Sequence, residues 1–135
     1  MPLSDTLQIA AAGMKAQDDR LRIIAENLAN ADSTASTPGG LPYRRKTITF
    51  QNVLDKQLGI ETVKIAKRGY DTSDFQKKFD PNHPAADEQG YVLYPNVSSV
   101  VEMVDMQEAR RSYEANLNVV EVSKSMLAQT IDLLR

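Results

Sequence analysis

The sequence predicts a mainly α-helical fold with a small β region. Two long terminal helices pair as an antiparallel coiled coil, and the middle forms a short, irregular antiparallel β segment. Residues 32–97 hold five of the six prolines and five of the six glycines. Apolar residues recur every seven positions on both sides of this stretch, as they do in coiled coils. Runs of β-branched and aromatic residues fall within it, which favours strands.

Residues 1–34 are predicted to form an N-terminal core helix and its exit turn. Ser4 or Asp5 can cap the helix start. Asn27 and Asn30 lie one turn apart near its end, where asparagine bonds well to free backbone groups. They either cap this end only, or also fix the direction of the chain and contact a neighbouring subunit. Two heptad columns run along the helix, Leu7, Met14, Leu21 and Leu28 in one and Ala10, Gln17, Ile24 and Ala31 in the other.

The middle segment, residues 35–97, opens with a polar linker rich in small residues. Strands are expected at residues 43–50, 60–66 and 90–94, where turn residues bound the β-branched and aromatic runs. Two prolines lock a tight turn at residues 80–84. This composition predicts a small antiparallel β region.

The C-terminal core helix is predicted for residues 98–135, which contain neither proline nor glycine. One heptad column consists of Met106, Tyr113, Val120, Leu127 and Leu134, and Leu117 and Ile131 fall between its members. At 1.5 Å rise per residue the two helices would be roughly 40 and 55 Å long. Both are much longer than the average helix, and together they form one coiled-coil domain.

Each helix also has a second apolar side. Its members are Ile9, Ala12, Ala16 and Ile23 on the first helix, and Ala115, Val119, Val122, Met126 and Leu133 on the last. A two-helix hairpin buries only one side of each helix. The second faces therefore either contact other subunits or are covered by the middle segment. The helix lengths favour contact with other subunits.

Composition excludes several classes of function. The chain has 135 residues, 16 basic and 18 acidic side chains, no cysteine and one histidine. The slight negative charge argues against nucleic acid as a main partner. The absence of cysteine excludes disulfides, thiol nucleophiles and thiolate metal sites. We expect neither a cleaved signal peptide nor a membrane span, because no basic-then-apolar leader and no long apolar run is present.

The sequence gives only weak support for a metal, phosphate-binding or catalytic site. His83 lies near several carboxylates in sequence, but two prolines flank it and the spacing fits a turn better than a metal site. The basic triplet 44–46 and the pair 110–111 are read as inter-subunit ion pairs with Glu102, Asp105 or Glu108, or as a solvated face. No phosphate-binding loop and no catalytic triad is recognisable. We therefore expect no enzyme activity, no cofactor and no metal.

Several motifs together resemble the bacterial flagellar rod and hook protein family, and within it the proximal rod type. Residues 27–33, with sequence NLANADS, resemble its signature NLAN-A-(N/D)-(T/S). The further matching segments are 43–46, 80–84, 90–97, 111–116 and 124–134. The resemblance covers nearly the whole chain, although residues 54–78 match only loosely.

The resemblance implies a structural subunit of the basal-body rod, the hollow drive shaft that transmits torque from the rotor to the hook in motility. It implies terminal helices paired around the axial channel, a middle segment that lies outward, and polymerisation in the periplasm. The implied partners are other copies of the chain, rod proteins of the FlgB, FlgF, FlgG and FliE types, and the flagellar type III export apparatus. Export then uses no cleaved signal peptide.

On this basis one set of residues is expected to form the helix–helix and assembly interface: Leu7, Met14, Leu21, Ile24, Asn27, Leu28, Asn30, Tyr113, Leu117, Val120, Leu127, Ile131 and Leu134. The second apolar sides are expected to pack between subunits. Two alternatives remain. A cytoplasmic coiled-coil adaptor would share the heptad columns without needing the second faces, and a metal-dependent hydrolase would depend on His83.

Overall fold

The computed structural model describes residues 2–135 and contains two helices and four strands. In chain order they are helix α1 (Leu3–Ala29), strands β1 (Lys46–Asp55), β2 (Ile60–Tyr70), β3 (Gln76–Phe79) and β4 (Tyr91–Tyr94), and helix α2 (Ser99–Leu133). This confirms two terminal helices with a small antiparallel β region between them. The coiled-coil pairing stays a prediction, as do the segment boundaries at residues 34 and 97.

The strands differ from their predicted bounds. The first begins at Lys46 rather than residue 43, because Tyr43 donates its backbone N–H to Ser33 and Arg45 donates its own to the Asn96 side chain. The second continues to Tyr70. Strand β3 was not predicted, since its four residues are all exposed and lack apolar alternation.

The described chain divides into two compact units. The first contains α1 up to Leu21, residues 48–67 and α2 from Met106 onward. Its buried positions on the helices carry small side chains, Ala10, Ala16, Ala109 and Ser123. Small side chains at these buried positions leave room for another part of the chain to approach the helix backbones closely.

Two contacts show how the helices run in this unit. A Cβ atom on Gly13 would lie 2.8 Å from the side-chain amide nitrogen of Asn116. About two turns further along α1, Arg20 reaches the Glu108 carboxylate at 3.4 Å. The partner number falls on α2 as the number rises on α1, so the helices are antiparallel here.

The first unit also holds most of the two-stranded sheet β1–β2. Its turn closes at Gly59, which has a φ of +67° and donates its N–H to the Asp55 carbonyl at 2.7 Å. Glycine suits this position because other residues avoid positive φ. Leu54 and Leu58 lie exposed at the tip of the hairpin.

The second unit contains residues 22–47 and 68–105. Strands β3 and β4 pair antiparallel, with Lys78 opposite Val92 and Phe79 opposite Tyr91. The Phe79 and Tyr91 rings meet edge to face, with centroids 5.4 Å apart. The buried residues include Ile24 and Asn27 from α1, Val92, Pro95 and Val97 from β4 and the segment after it, and Glu102 from α2. This core is unusual in containing a carboxylate.

Among residues 2–135, no helix combines the length and the hydropathy that a membrane span requires.

Candidate functional site

Asn27 joins the end of α1 to the start of β1. Its side chain is buried. The side-chain amide forms two hydrogen bonds with the Lys46 backbone, as the backbone of a neighbouring strand would. The Asn27 Nδ2 donates to the Lys46 carbonyl at 3.0 Å, and its Oδ1 accepts from the Lys46 N–H at 2.9 Å. The same Oδ1 accepts from the Tyr43 hydroxyl at 2.8 Å. These bonds fix the direction in which the chain leaves the helix.

Glu102 lies in the first turn of α2 and is completely buried. Its carboxylate accepts a short, charge-assisted hydrogen bond from Arg45 Nε and a longer one from Asn27 Nδ2 at 3.4 Å. A buried carboxylate is tolerated only when it is paired and hydrogen-bonded. Arg45 and Asn27 together meet this requirement.

Two further carboxylates surround the Arg45 guanidinium, Asp71 at 3.6 Å and Asp105 at 3.7 Å. We call Asn27, Arg45, Asp71, Glu102 and Asp105 the Arg45 network. It connects the end of α1, the start of β1, the segment after β2 and the first two turns of α2. The second unit is therefore held together by a polar cluster as much as by apolar packing.

Hydrogen bonds from Asn96 and Arg44 support the network. Asn96 accepts from the Arg45 N–H at 2.8 Å and donates to the Asp71 carbonyl at 3.1 Å. Arg44 also donates to the Asp71 carbonyl, at 2.7 Å, and its guanidinium lies 4.2 Å from the centre of the Phe75 ring. The basic residues 44 and 45 are thus both used inside the chain.

This corrects the sequence-based interpretation of the basic triplet. Pairs of Arg45 with Glu102 and Asp105 were expected between subunits or not at all, but they form within one chain. Lys46 likewise pairs with Glu26 of α1 at 2.7 Å. The sequence could not show this because the partners lie 20 to 60 positions apart. Within the described chain, the one ion pair of Arg110 is with Glu114 on its own helix, at 3.8 Å and largely exposed.

The pKa shifts of three groups in this unit agree with their hydrogen bonds. Burial raises the pKa of the Tyr43 hydroxyl, which keeps it a donor to Asn27. The hydrogen bond to Glu26 raises the pKa of Lys46, and hydrogen bonds from Ser73 lower the pKa of Asp71. Tyr43 is therefore neutral, Lys46 cationic and Asp71 anionic over the physiological range.

The predicted interface residues of α1 are covered to different degrees. Ile24 and Asn27 are buried, and Leu7, Met14, Leu21, Leu28 and Asn30 are half-buried. Of the second face, Ile9, Ala12 and Ile23 are half-buried, but Ala16 is buried inside the chain and offers no surface to a neighbour. Asn30 bonds locally, to the Glu26 carbonyl and the Ser33 hydroxyl.

Helix α2 carries most of the exposed apolar surface. Of its predicted interface residues, Tyr113 and Val120 are half-buried, whereas Leu117, Leu127, Ile131 and Leu134 are exposed. The second face is exposed throughout, at Ala115, Val119, Val122, Met126 and Leu133. Monomeric proteins rarely leave so many large apolar side chains on one element in contact with water.

An exposed apolar group at the other end of α2 was not predicted from the sequence. Val100, Val101, Met103 and Val104 are 51–72% exposed. The second apolar side of the helix would have indicated them if it continued toward the helix start. Glu108 and Arg111 interrupt it.

The contacts of His83 indicate a structural role for its ring. Its Nδ1 accepts from the Ala85 N–H at 3.0 Å, and its Nε2 lies 3.2 Å from the Thr34 hydroxyl. Within the described part of the chain, no three histidine or carboxylate side chains are grouped so as to hold a metal ion. The ring instead fixes the turn at residues 80–86 to the exit segment of α1.

Two family models match the ends of the chain. The model described as "Flagella basal body rod protein" matches residues 7–35, and "Flagellar basal body rod FlgEFG protein C-terminal" matches residues 88–133. The matched segments contain most of α1 and all of α2. They therefore coincide with the Asn27 junction and with the exposed apolar surface.

Similar proteins cover the whole chain. The flagellar basal-body rod protein FlgC of Agrobacterium fabrum is 52% identical over 99% of this chain and 96% of its own length. The FlgC proteins of Salmonella typhimurium and Borreliella burgdorferi are 42% and 39% identical, over 98% and 100% of this chain and 98% and 99% of their own lengths. Similarity at this level extends over both helices and the β region between them.

Proposed function

We propose, on the premise that this chain belongs to the FlgC family of flagellar basal-body rod proteins, that α1 and α2 are the elements through which it polymerises. The chain is a structural subunit of the basal-body rod and associates with other rod components. We infer the contacts through which it associates with them. The exposed apolar side of α2 packs against neighbouring subunits, and the rod transmits torque from rotor to hook through these contacts.

The observation that carries the proposal is the exposure of α2. Val119, Val122 and Met126 are 41–58% exposed on a helix whose other side already contacts α1. A helix that is apolar on two sides is usually buried on two sides. Since the chain belongs to a family of rod proteins, we expect other subunits to bury the second side.

Partners and location follow from the same proposal. We infer contacts with further copies of this chain and with rod proteins of the FlgB, FlgF, FlgG and FliE types. The rod would cross the periplasm, with α1 and α2 lining its hollow core and the β region outside. The chain would reach it through the flagellar type III export apparatus, without a cleaved signal peptide. A structural role of this kind needs no cofactor and no catalytic group, and no observation favours the adaptor or hydrolase alternatives.

Replacing Val122 with aspartate should abolish assembly without unfolding the chain. The side chain is 58% exposed, so the change costs the isolated protein little, but burying the new charge between subunits is strongly unfavourable. The variant would be tested in Agrobacterium fabrum, with this chain replacing its 52% identical relative. Swimming and recovery of the chain in purified basal bodies are the measurements.

Ser125→Asp is the matched control. It adds the same charge to the same exposed stretch of α2, but at a position outside both predicted interfaces. We expect Ser125→Asp cells to swim and Val122→Asp cells to be non-motile, with equal amounts of both chains made. Normal motility of the Val122→Asp cells would contradict packing through this face.

A further inference from the structure

Two of the three methionines of α2 are exposed to solvent to almost the same degree. Met103 is 57% exposed and Met126 is 55% exposed. Met106 of the same helix and Met14 of α1 are half-buried. Met126 lies one turn after Val122, on the second apolar side of α2. Because an unbranched thioether is apolar and adapts its shape to its surroundings, Met126 suits a surface that packs against a neighbouring subunit.

Oxidation by hydrogen peroxide converts such a thioether into a polar sulfoxide. A sulfur lone pair attacks one peroxide oxygen, so that an S–O bond forms and the O–O bond breaks. The hydroxide that leaves takes the proton from the bound oxygen and becomes water. The sulfur is thereby oxidised by two electrons and the peroxide is reduced. Water can bond to the new sulfoxide oxygen as long as this side of α2 stays exposed.

The side chains one turn away from Met126 do not compensate for the new oxygen. Val122, before it, has no polar side-chain atom. Thr130, after it, already donates its hydroxyl to the Met126 carbonyl at 2.8 Å. Packing the sulfoxide against another subunit would remove its water and leave the oxygen without a donor from either of these neighbours. A polar group buried in this way opposes the contact, whereas the unmodified thioether favours it.

We propose that Met126 is an oxidation site whose state decides whether an unassembled chain can join the rod. Hydrogen peroxide oxidises the free chain at this sulfur and blocks its packing. A methionine sulfoxide reductase reverses the change, removing the oxygen as water while two thiols become a disulfide. Subunits already in the rod are shielded by their neighbours. The inference rests on the proposed function, because it assigns a form of regulation to the same side of α2.

Peptide mapping by mass spectrometry measures the reactivity of each sulfur. The purified full chain is treated briefly with dilute hydrogen peroxide. We expect Met103 and Met126 to be oxidised at similar rates, at least about threefold faster than Met14 and Met106, because oxidation follows exposure. A Met126 that reacts no faster than the two half-buried methionines would overturn the proposal.

The assembly experiment uses Agrobacterium fabrum cells in which this chain replaces its relative. Synthesis of the chain is switched on only when peroxide is added, so every recovered chain met peroxide before it assembled. The sulfoxide fraction at Met126 should be about tenfold lower in purified basal bodies than in the unassembled pool. The fraction at Met103, which lies outside both predicted interfaces, should be equal in the two pools.

Substitutions at the same two positions separate the sulfur from other effects of peroxide. Met126→Leu keeps the side chain apolar and of similar volume, so it should assemble normally and resist peroxide. Met103→Leu should stay as sensitive as the unmodified chain. Met126→Gln places a polar group there without oxidation and should lower recovery in basal bodies by about tenfold, whereas Met103→Gln should not.

Equal fractions of Met126 sulfoxide in assembled and unassembled chains would overturn this inference and leave the proposed function intact. Resistance to peroxide in Met103→Leu cells, or sensitivity in Met126→Leu cells, would overturn the assignment to Met126. Absence of the unmodified chain from basal bodies grown without peroxide would instead contradict the proposed function, and this inference with it.

Discussion

Replacing Arg45 with methionine is expected to lower the free energy of unfolding by about 3–5 kcal/mol, because it leaves a buried carboxylate without its counter-charge. Glu102 is fully buried, and among residues 2–135 its one other side-chain hydrogen bond is the 3.4 Å bond from Asn27. Asp71 and Asp105 would remain nearby and add repulsion. Urea denaturation followed by circular dichroism measures the effect.

The double variant Arg45→Met, Glu102→Leu serves as the control. Removing both charges also removes the free-energy cost of burying an unpaired carboxylate. Most of the lost stability should therefore return. Arg110→Met tests the opposite case, since its pair with Glu114 is exposed and should contribute less than about 1 kcal/mol. An Arg45→Met chain as stable as the unmodified one would show that the Arg45 network does not hold the second unit together.

Asn27→Ala is expected to cost about 3 kcal/mol or more, because it takes a hydrogen-bond partner from several buried or partly buried polar groups. The affected groups are the Lys46 N–H and carbonyl, the Tyr43 hydroxyl and one side of the Glu102 carboxylate. Few single residues in this chain satisfy so many others. Denaturation and protection of the Lys46 amide against hydrogen exchange are the measurements.

Asn30→Ala is the matched control one turn later. Asn30 is half-buried, and within the described part of the chain its side chain bonds only to the Glu26 carbonyl and the Ser33 hydroxyl. Its loss should therefore cost about 1 kcal/mol, as removal of a helix-end hydrogen bond usually does. Equal effects of the two substitutions would mean that Asn27 merely caps α1, which was one of the two interpretations left open by the sequence.

The two helices could be predicted because their signals are local. Heptad spacing, the absence of proline and the asparagines at the end of α1 all lie within a few turns of one another. The same holds for strand β4. Strand β3 was missed because its residues, Gln76–Phe79, have no apolar alternation, and its place is fixed by pairing with β4.

The Arg45 network could not be derived from the sequence for a different reason. Its members are spread from Asn27 to Asp105, and their charges look like an ordinary solvated surface when read along the chain. Only the fold brings Arg45 to Glu102. Once Glu102 is known to face inward, the outward position of Val100 and Val104 follows from helix geometry. The exposure of Val100 and Val104 therefore depends on a contact that no local pattern shows.

The central claim is that other subunits cover the exposed apolar side of α2 in the basal-body rod. Electron cryomicroscopy of basal bodies from Agrobacterium fabrum cells carrying this chain tests it most directly. We predict that α1 and α2 lie in the core of the rod, with Val122 and Met126 packed against neighbouring subunits. Finding these side chains facing solvent, or the chain outside the rod, would contradict the account.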